Sequence, residues 1–184
     1  EQLLQDPRFE PKAAVRNEKS AKKLRKSTEI GLDQIIIFDV AKDLRDNRPA
    51  GLEGCQHLVI CTSAVPVISK LSLLMNLLKV PINFLLRKRL FDFRDLKFRW
   101  KGGQCPEIAD YQGQVAQIDL AKDLGMQHIV LVSSMGGTDP DNFLNSVGKT
   151  NDGDKGDILL WKRKAEQYLV ESGLDYTIIH PGGL

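Results

Sequence analysis

Cysteine and histidine are scarce in this sequence, which excludes two common ways of stabilising a small protein. The 184 residues include three cysteines, at positions 55, 61 and 105, and three histidines. The cysteines form no CxxC pair and no histidine cluster accompanies them, so we predict neither a metal site nor a disulfide framework. An odd number of widely spaced thiols is easier to reconcile with a reducing compartment.

Strong net charge and long apolar runs are also missing. The formal net charge is +2, too small by itself to imply a nucleic-acid partner, and we expect none. No transmembrane segment is predicted, because Asn76, Lys79, Pro81 and Asn83 interrupt the most apolar stretch before it reaches about 18 residues. The chain opens on EQLLQDPRFE, too polar for a signal peptide, without an initiating methionine. We therefore expect an internal piece or a processed form.

The sequence has the apolar runs of a parallel sheet. Hydrophobic residues make up 42% and charged residues 27%, as in one soluble globular domain, here taken as residues 1–184. Continuous rather than alternating hydrophobicity is typical of strands that helices cover on both faces. The predicted strands are IIIF (35–38), HLVICT (57–62), HIVLVSS (128–134), DYTIIH (175–180) and, more weakly, KAAVR (12–16).

Helical segments alternate with these strands. They cover residues 18–26, 107–125 and 156–173, and the last two end on glycine, as helix stops often do. Strand and helix in alternation predict an α/β fold with a doubly wound parallel sheet. In the last helix Leu159, Trp161, Ala165, Tyr168 and Leu169 are predicted to form the apolar face, with lysine and glutamate side chains opposite.

Residues 67–100 interrupt this alternation with an insert rich in Leu, Phe and Arg. One interpretation is one or two amphipathic helices packed over the sheet edge or the ligand crevice. The other is an element that binds a membrane surface or a protein partner, with Leu and Phe side chains inserted and the LRKR run at 86–89 facing acidic lipid. The sequence leaves both open.

Three stretches carry a family resemblance: TSAVP (62–66), the segment 110–145 with its SSMGG motif, and WKRKAEQYLVESGLDYTIIHPGGL (161–184). Together they resemble the atypical short-chain dehydrogenase/reductases, in the subgroup of plants, algae and cyanobacteria related to nucleoside-diphosphate-sugar epimerases. The resemblance covers almost the whole chain outside the insert. It implies a Rossmann-type domain that binds a nicotinamide dinucleotide, usually NADP(H), and an unidentified small-molecule substrate, in the cytoplasm or the plastid stroma.

On this resemblance, Arg16 at the end of the second family strand decides between NADP and NAD. A guanidinium there pairs with the 2′-phosphate of NADP, whereas NAD-preferring members have a carboxylate. NADP is therefore the predicted cofactor, with NAD less favoured. The alternative is that Arg16 is one more charge at the start of a basic helix.

The remaining cofactor residues follow two other strands. Asp39 and Val40 lie where the family holds the adenine edge, although Asp39 also suits a helix N-cap. Thr62, Ser63 and Ala64 end the next strand at the crevice, where small side chains let the dinucleotide approach. As an alternative, Thr62 and Ser63 are simple turn formers.

The catalytic positions depart from the family pattern. Ser133 and Ser134 end a strand at the predicted nicotinamide site, and Ser134 better matches the serine that orients a substrate carbonyl. Lys162 takes the place of the lysine of the YxxxK motif and would bind the nicotinamide ribose. Ile158 takes the place of its tyrosine and cannot transfer a proton.

Other residues are candidates for that proton. Tyr111, at the start of a helix, could face the crevice, whereas Tyr168 is predicted to lie in the core. His180 stands where relatives usually have arginine and is read as a strand-end histidine satisfied by backbone groups. Lys164 is an alternative to Lys162.

The sequence also lacks the family's GxxGxxG turn and the strand before it. That strand belongs between the second and fourth family strands, so we expect a gap of about 10 Å in the sheet or a changed strand pairing. We expect the chain to be the middle of a longer protein, with weak cofactor affinity on its own. The function indicated is an NADP(H)-binding oxidoreductase with a non-standard active site; the alternative is an inactive NADP-binding scaffold or assembly factor that docks through residues 67–100.

Overall fold

The computed structural model describes residues 2–40, 49–87, 89, 96–147 and 156–182. In chain order its strands are β1 (Ala13–Val15), β2 (Ile35–Ile37), β3 (His57–Ile60), β4 (Pro66–Ile68), β5 (Phe98–Trp100), β6 (His128–Val132) and β7 (Asp175–Ile179). Its α-helices are α1 (Gln2–Gln5), α2 (Glu18–Ser27), α3 (Lys70–Leu85), α4 (Gly113–Asp123), α5 (Phe143–Ser146) and α6 (Ile158–Glu171). A 3₁₀ turn covers Lys101–Gly103, and a π-helical turn, Glu107–Gln112, runs directly into α4.

The five predicted strands are all present and pair in parallel. Strand β6 lies between β3 and β7, with Val130 opposite Val59 on one side and Thr177 on the other. Strands β1 and β2 form a second parallel pair, with Ala14 opposite Ile36. The fold is therefore a Rossmann-like α/β fold, as predicted, although each strand is shorter than its apolar run.

The hydrophobic core lies on β3 and β6 and under helices α4 and α6. It consists of fully or almost fully buried side chains from four elements and one loop: Ile60, Ile118, Ala121, Met126, Ile129, Leu131 and Leu169. A fully buried Leu or Ile stabilises a fold by about 1.5–3 kcal/mol relative to exposure. Helix α4 ends before Gly125, whose φ of 66° is left-handed and suits glycine, so the predicted stop is confirmed.

The two parallel sheets do not join through β1 and β3. Among the described residues β1 pairs with β2 and β3 pairs with β6, and the two sets remain separate. The break falls between the second and fourth family strands, where the sequence predicts a gap or a changed pairing. Among the described residues the two sheets are unpaired at this point, and the width of the predicted gap stays a prediction.

Helix α6 corrects one prediction about its faces. Its buried residues are Leu159, Lys162, Ala165, Glu166 and Leu169. Lys162 and Glu166 therefore lie on the buried face, and the prediction that lysine and glutamate side chains stand opposite it is wrong for these two. A prediction from the pattern of apolar and polar residues places every charged side chain in water. In α6 the burial of Lys162 and Glu166 is compensated by ion pairs.

The insert forms a helix between two paired strands. Strands β4 and β5 pair antiparallel, with Val67 opposite Arg99, so both ends of the insert leave from one place. Between them α3 buries only Ser72 and Asn76, while most of its leucines are exposed. The interpretation of apolar packing over the sheet edge or crevice is therefore wrong for α3. Residues 88 and 90–95 lie outside the described residues.

Candidate functional site

The carboxyl end of β3 is held in place by buried polar side chains from the neighbouring helix. Asp110 Oδ2 accepts a hydrogen bond from the Ala64 amide at 3.0 Å. Gln114 Nε2 donates to the Thr62 carbonyl oxygen at 2.9 Å, and Gln117 Nε2 donates to Thr62 Oγ1 at 3.1 Å. Three side chains on one helical face thus fix the segment that the sequence assigns to the dinucleotide.

Asp110 is compensated by a lysine from α6. Lys162 Nζ lies 2.7 Å from Asp110 Oδ1, and the two side chains are 8% and 0% exposed. Because Oδ1 makes no hydrogen bond with any described residue, the ammonium is what compensates its burial. Asp110 lies in the π-helical turn, a distortion that is common at functional sites. Lys162 therefore reaches the end of β3 indirectly, through Asp110.

Arg16 and Asp39 lie on the opposite side of the same opening. Arg16 Nη1 donates to Gln104 Oε1 at 2.7 Å, and Gln104 Nε2 donates to Asp39 Oδ1 at 2.7 Å. This chain joins the ends of β1 and β2 to the segment that follows β5. The guanidinium keeps donors beyond the one that Gln104 uses, as bidentate phosphate binding requires.

Val40 closes the approach between β2 and α4. A Cβ at Gly113 would come within 3.2 Å of Val40 Cγ2 and 3.1 Å of the Ile108 carbonyl oxygen. Glycine at this position therefore lets the end of β2 approach the helix closely.

Several of these residues line a cavity of about 330 Å³. At the ends of the strands, which we call the rim, its lining includes Arg16, Val40, Thr62 and Ser63; elsewhere it includes apolar side chains, among them Leu58 of β3 and Met126. Ala14 of β1 also lines it, so the cavity lies between the two parallel sheets. The rim, with its guanidinium and hydroxyl groups, is the part suited to a polar ligand.

A second polar cluster lies at the carboxyl ends of β6 and β7. Ser133 Oγ donates to Glu166 Oε1, and Arg163 Nη1 contacts both Glu166 Oε2 and His180 Nε2. His180 Nε2 also lies 3.1 Å from Glu166 Oε2, and Arg163 Nη2 donates to the Ser134 carbonyl oxygen at 3.2 Å. His180 therefore has side-chain partners, and the interpretation of backbone satisfaction is wrong.

Glu166 is the anion that organises this second cluster. Burial opposes its ionisation, but hydrogen bonds from Ser133, Arg163 and His180 outweigh that effect and lower the pKa of the carboxyl. Glu166 is consequently ionised at neutral pH. It holds the guanidinium of Arg163 and the imidazole of His180 beside the end of the sheet.

The tyrosines and Cys61 lie in different surroundings. Tyr168 donates to Asp119 Oδ1 at 2.6 Å and packs against the core, as predicted; this hydrogen bond, followed by burial, raises the pKa of its phenol. Tyr111 packs its ring on Trp161, with centroids 5.6 Å apart. Cys61 lines the cavity, and burial raises the pKa of its thiol. A raised pKa makes Tyr168 a poor acid at neutral pH.

The structure brings together one group of predicted residues and separates the others from it. Those that line the cavity are Arg16, Val40, Thr62, Ser63 and Ala64, with Asp39 joined to Arg16 through Gln104. Ser133, Ser134 and Lys162 belong to the ends of β6 and the buried face of α6. The specific role of each residue stays a prediction.

Sequence reasoning missed several residues that position this site: Gln104, Asp110, Gln114, Gln117 and Arg163. Asp110, Gln114 and Gln117 could have been found, because their spacing puts three polar side chains on the helix face that also carries Ile118 and Ala121. Gln104 and Arg163 gave no comparable signal. Among the described residues no group of three or more potential metal ligands occurs.

A parallel sheet between helices, with polar residues at the carboxyl ends of its strands, defines a Rossmann-type nucleotide-binding protein. The family model described as NAD(P)H-binding matches residues 1–184, and the chain belongs to this family, in agreement with the atypical short-chain dehydrogenase/reductase resemblance.

Relatives and a solved structure agree with this membership. The chain is 42% identical to sanguinarine reductase of Eschscholzia californica, across 96% of the chain and 60% of that protein. It is 40% identical to an uncharacterised chloroplastic protein of Arabidopsis thaliana, across 96% and 45%. A putative NAD-dependent epimerase/dehydratase from Bacillus halodurans has the same fold, with a TM-score of 0.55 at 23% identity over 94% of this chain and 58% of that one. The chain thus spans 60% and 45% of the length of these two curated relatives.

The rim of the cavity combines a cationic group with apolar side chains. The guanidinium of Arg16 lies there together with the side chains of Phe38 and Val40. The small residues Ser63 and Ala64 permit close approach at the end of β3.

Proposed function

We propose that this chain is the cofactor-binding portion of an NADP(H)-dependent oxidoreductase that acts on a small organic molecule. The observation that carries the proposal is the shared rim: Arg16, Val40 and the segment 62–64, distant in sequence, line one cavity at the carboxyl ends of their strands. Membership of the NAD(P)H-binding family supports the cofactor class. When bound, the nicotinamide supplies the hydride.

Arg16 favours NADP over NAD. It is half-buried, and its guanidinium donates to Gln104, which in turn donates to Asp39, at the edge of the cavity. A preorganised guanidinium binds a phosphate dianion with charge-assisted hydrogen bonds and has no comparable partner in a ribose hydroxyl.

Calorimetric titration with NADPH and NADH tests this preference. Arg16→Ala should weaken NADPH binding about tenfold to a hundredfold and leave NADH binding nearly unchanged. Arg25→Ala, which removes an exposed arginine from the last turn of α2, is the matched control and should change neither affinity. Equal losses for both nucleotides would reject the 2′-phosphate role.

Proton transfer needs a residue other than the family tyrosine, because Ile158 occupies that position. We assign the exchange to His180, with Ser134 orienting the substrate oxygen and Lys162 fixing the end of β3 through Asp110. Protonated His180 can donate to Glu166 from the same Nε2 that, when neutral, accepts from Arg163. Its side chain is 40% exposed, so it can exchange protons with substrate or water. In reduction of a carbonyl, the carbon receives the hydride and the oxygen receives this proton.

Turnover is tested by NADPH oxidation across quinones, aldehydes, sugar nucleotides and sanguinarine, the last because of the name of one relative. His180→Asn should lower kcat by about a hundredfold or more on a productive substrate. Tyr111→Phe should lower kcat much less. If instead Tyr111→Phe had the larger effect, the proton transfer would be assigned to Tyr111.

A binding scaffold is the second candidate, and Ile158 is the observation that favours it. Tight NADPH binding without oxidation across the whole panel would support the scaffold and contradict the oxidoreductase. We also propose a plastid location, because the Arabidopsis relative is described as chloroplastic. Organelle fractionation with an antibody against the chain tests it.

A further inference from the structure

Helix α3 presents an apolar face to the outside of the molecule. Six large side chains on one side of the helix are each more than half exposed: Leu71, Leu74, Met75, Leu78, Ile82 and Leu85. They follow the spacing of a single helical face, and we refer to them as the α3 apolar face. A continuous apolar surface of this kind marks an interaction site.

The polar side of α3 fixes this orientation. Ser72 Oγ accepts a hydrogen bond from the Lys97 amide at 2.8 Å, and Asn76 Nδ2 donates to the Ser72 carbonyl oxygen at 2.9 Å. The Ser69 amide donates to the Lys97 carbonyl oxygen at 2.9 Å, next to the paired strands β4 and β5. These contacts turn the polar stripe toward the protein, so the apolar face points outward.

The charged residues along α3 and next to it in the sequence have one sign. The sequence contains no acidic residue between Glu53 and Asp92, whereas the same stretch includes five basic residues: Lys70, Lys79, Arg87, Lys88 and Arg89. Lys70, Lys79 and Arg87 are exposed at or beside the helix. An apolar surface bordered by cations is complementary to a membrane surface that carries anionic lipid.

We propose that the α3 apolar face inserts into the headgroup region of an anionic membrane, with the helix lying in the membrane plane. The helix has 16 residues, which at about 1.5 Å each gives about 24 Å, less than the roughly 30 Å of a bilayer core. No helix of the described residues is long and apolar enough to cross a membrane. Lys70, Lys79 and Arg87 reach the phosphate level while the leucines contact acyl chains.

A second copy of this chain fits the face less well. A two-fold pairing of α3 helices would bring the basic side chains of both copies together without acidic partners on the helix. The apolar face also lacks the regularly spaced hydrogen-bonding groups that a specific protein interface contains. Lipid needs neither an opposite charge pattern nor matched side chains.

Co-sedimentation of the full chain with vesicles tests the proposal. The probes are vesicles of phosphatidylcholine alone and of phosphatidylcholine mixed with phosphatidylglycerol. Binding is expected to the mixed vesicles, to fall as potassium chloride is raised, and to be much weaker on phosphatidylcholine alone.

Two pairs of variants separate the apolar and electrostatic contributions. The double substitution Leu78→Ser with Leu85→Ser should lower the partition coefficient at least about tenfold. The control is Leu32→Ser, whose side chain is 68% exposed, against 69% for Leu71 of the apolar face, but lies outside the insert; it should leave binding unchanged. Lys70→Gln with Arg87→Gln should lower binding about thirtyfold, whereas Lys22→Gln with Lys26→Gln on α2 should change it little.

Several outcomes overturn the proposal. Equal binding to both vesicle types, or equal losses for the α3 and control variants, contradicts insertion of this face into anionic lipid. A dimer in sedimentation velocity that the Leu78→Ser, Leu85→Ser chain loses, together with no vesicle binding, assigns the face to a second copy instead. Circular dichroism melts establish that each variant is folded, and the charge variants keep the test decisive if the leucine variants are not.

Discussion

Helices α6 and α3 both contain leucine and lysine and use them in opposite ways. Helix α6 buries Lys162 and Glu166 among the leucines of the core. Helix α3 buries Ser72 and Asn76 and exposes its leucines. The buried charges of α6 each have a partner of opposite sign, whereas the exposed leucines of α3 lie in a stretch of sequence, residues 54–91, whose Lys and Arg residues have no acidic neighbours.

Charged side chains are usually exposed and apolar side chains usually buried, and the two helices depart from this rule for different reasons. A buried charge persists only if pairing compensates its desolvation, so Lys162 and Glu166 mark the places where α6 meets the ends of the strands. An exposed apolar face persists because something other than water covers it in use. The first departure lies at the strand ends, near which we propose that the cofactor binds, and the second lies on the face that we propose to dock on a membrane.

The most damaging substitution should break the buried pair of α6. Lys162→Met leaves Asp110 as an uncompensated buried carboxylate and should lower the free energy of unfolding by about 3–5 kcal/mol. Lys164→Met is the control, because Lys164 lies 4.0 Å from the centroid of Trp161 on the exposed side and should cost about 1 kcal/mol or less. Urea denaturation measures the free energy of unfolding of both variants. Equal losses would mean that the buried ion pair contributes no more to stability than the exposed lysine does.

A smaller loss of stability is expected when the hydrogen bond between Gln114 and the end of β3 is removed. Gln114→Ala leaves the Thr62 carbonyl oxygen without its side-chain donor and should cost about 1–3 kcal/mol. Gln167→Ala, whose side chain donates to Glu171 on the exposed face of α6, should cost a few tenths of that value. If Gln114→Ala proved neutral in denaturation, the segment 62–64 would not depend on the helix for its position.

The second polar cluster, around Glu166, should make the stability of the chain sensitive to acid. The pKa of Glu166 is lower in the folded chain than its ordinary value of 4.5, so its contribution to stability is complete above pH 4.5 and is lost as the pH falls through the lowered pKa. Thermal melts across this range should show a steeper acid loss for the unaltered chain than for Glu166→Gln. Glu171→Gln, on the exposed face, should keep the steep profile; a profile unchanged by Glu166→Gln would contradict the assignment.

The smallest effect is expected at Tyr168 of α6, a residue outside both the buried ion pair and the α3 apolar face. Tyr168→Phe removes one partly exposed hydrogen bond to Asp119 and should cost about 1 kcal/mol or less. Turnover on any productive substrate should be unaffected, because Tyr168 faces the core cluster. A large loss of kcat without a loss of stability would bring Tyr168 into the active site.

The strands and helices could be predicted because they depend on local patterns. Apolar runs located five parallel strands, and Gly125 located the end of α4. Strands β4 and β5 were missed, since three residues of pairing leave no periodic signal. The π-helical turn runs directly into α4, so the sequence pattern predicts one continuous helix there.

The chemistry at the site was less predictable because it depends on long-range pairing. Family motifs indicated Arg16 and the segment 62–64, which do share one rim. They did not indicate that Lys162 pairs with Asp110, a residue far from it in sequence. Charge alone reads Lys162 as solvent-exposed, and only the fold supplies the carboxylate that permits its burial.

Hydrogen–deuterium exchange with and without NADPH tests most directly whether the strand ends form the cofactor-binding site. Protection should appear in peptides that cover residues 13–20 and 57–68 and be absent from the outward part of α3, residues 74–85. Protection confined to α3, or spread evenly over the chain, would contradict the account.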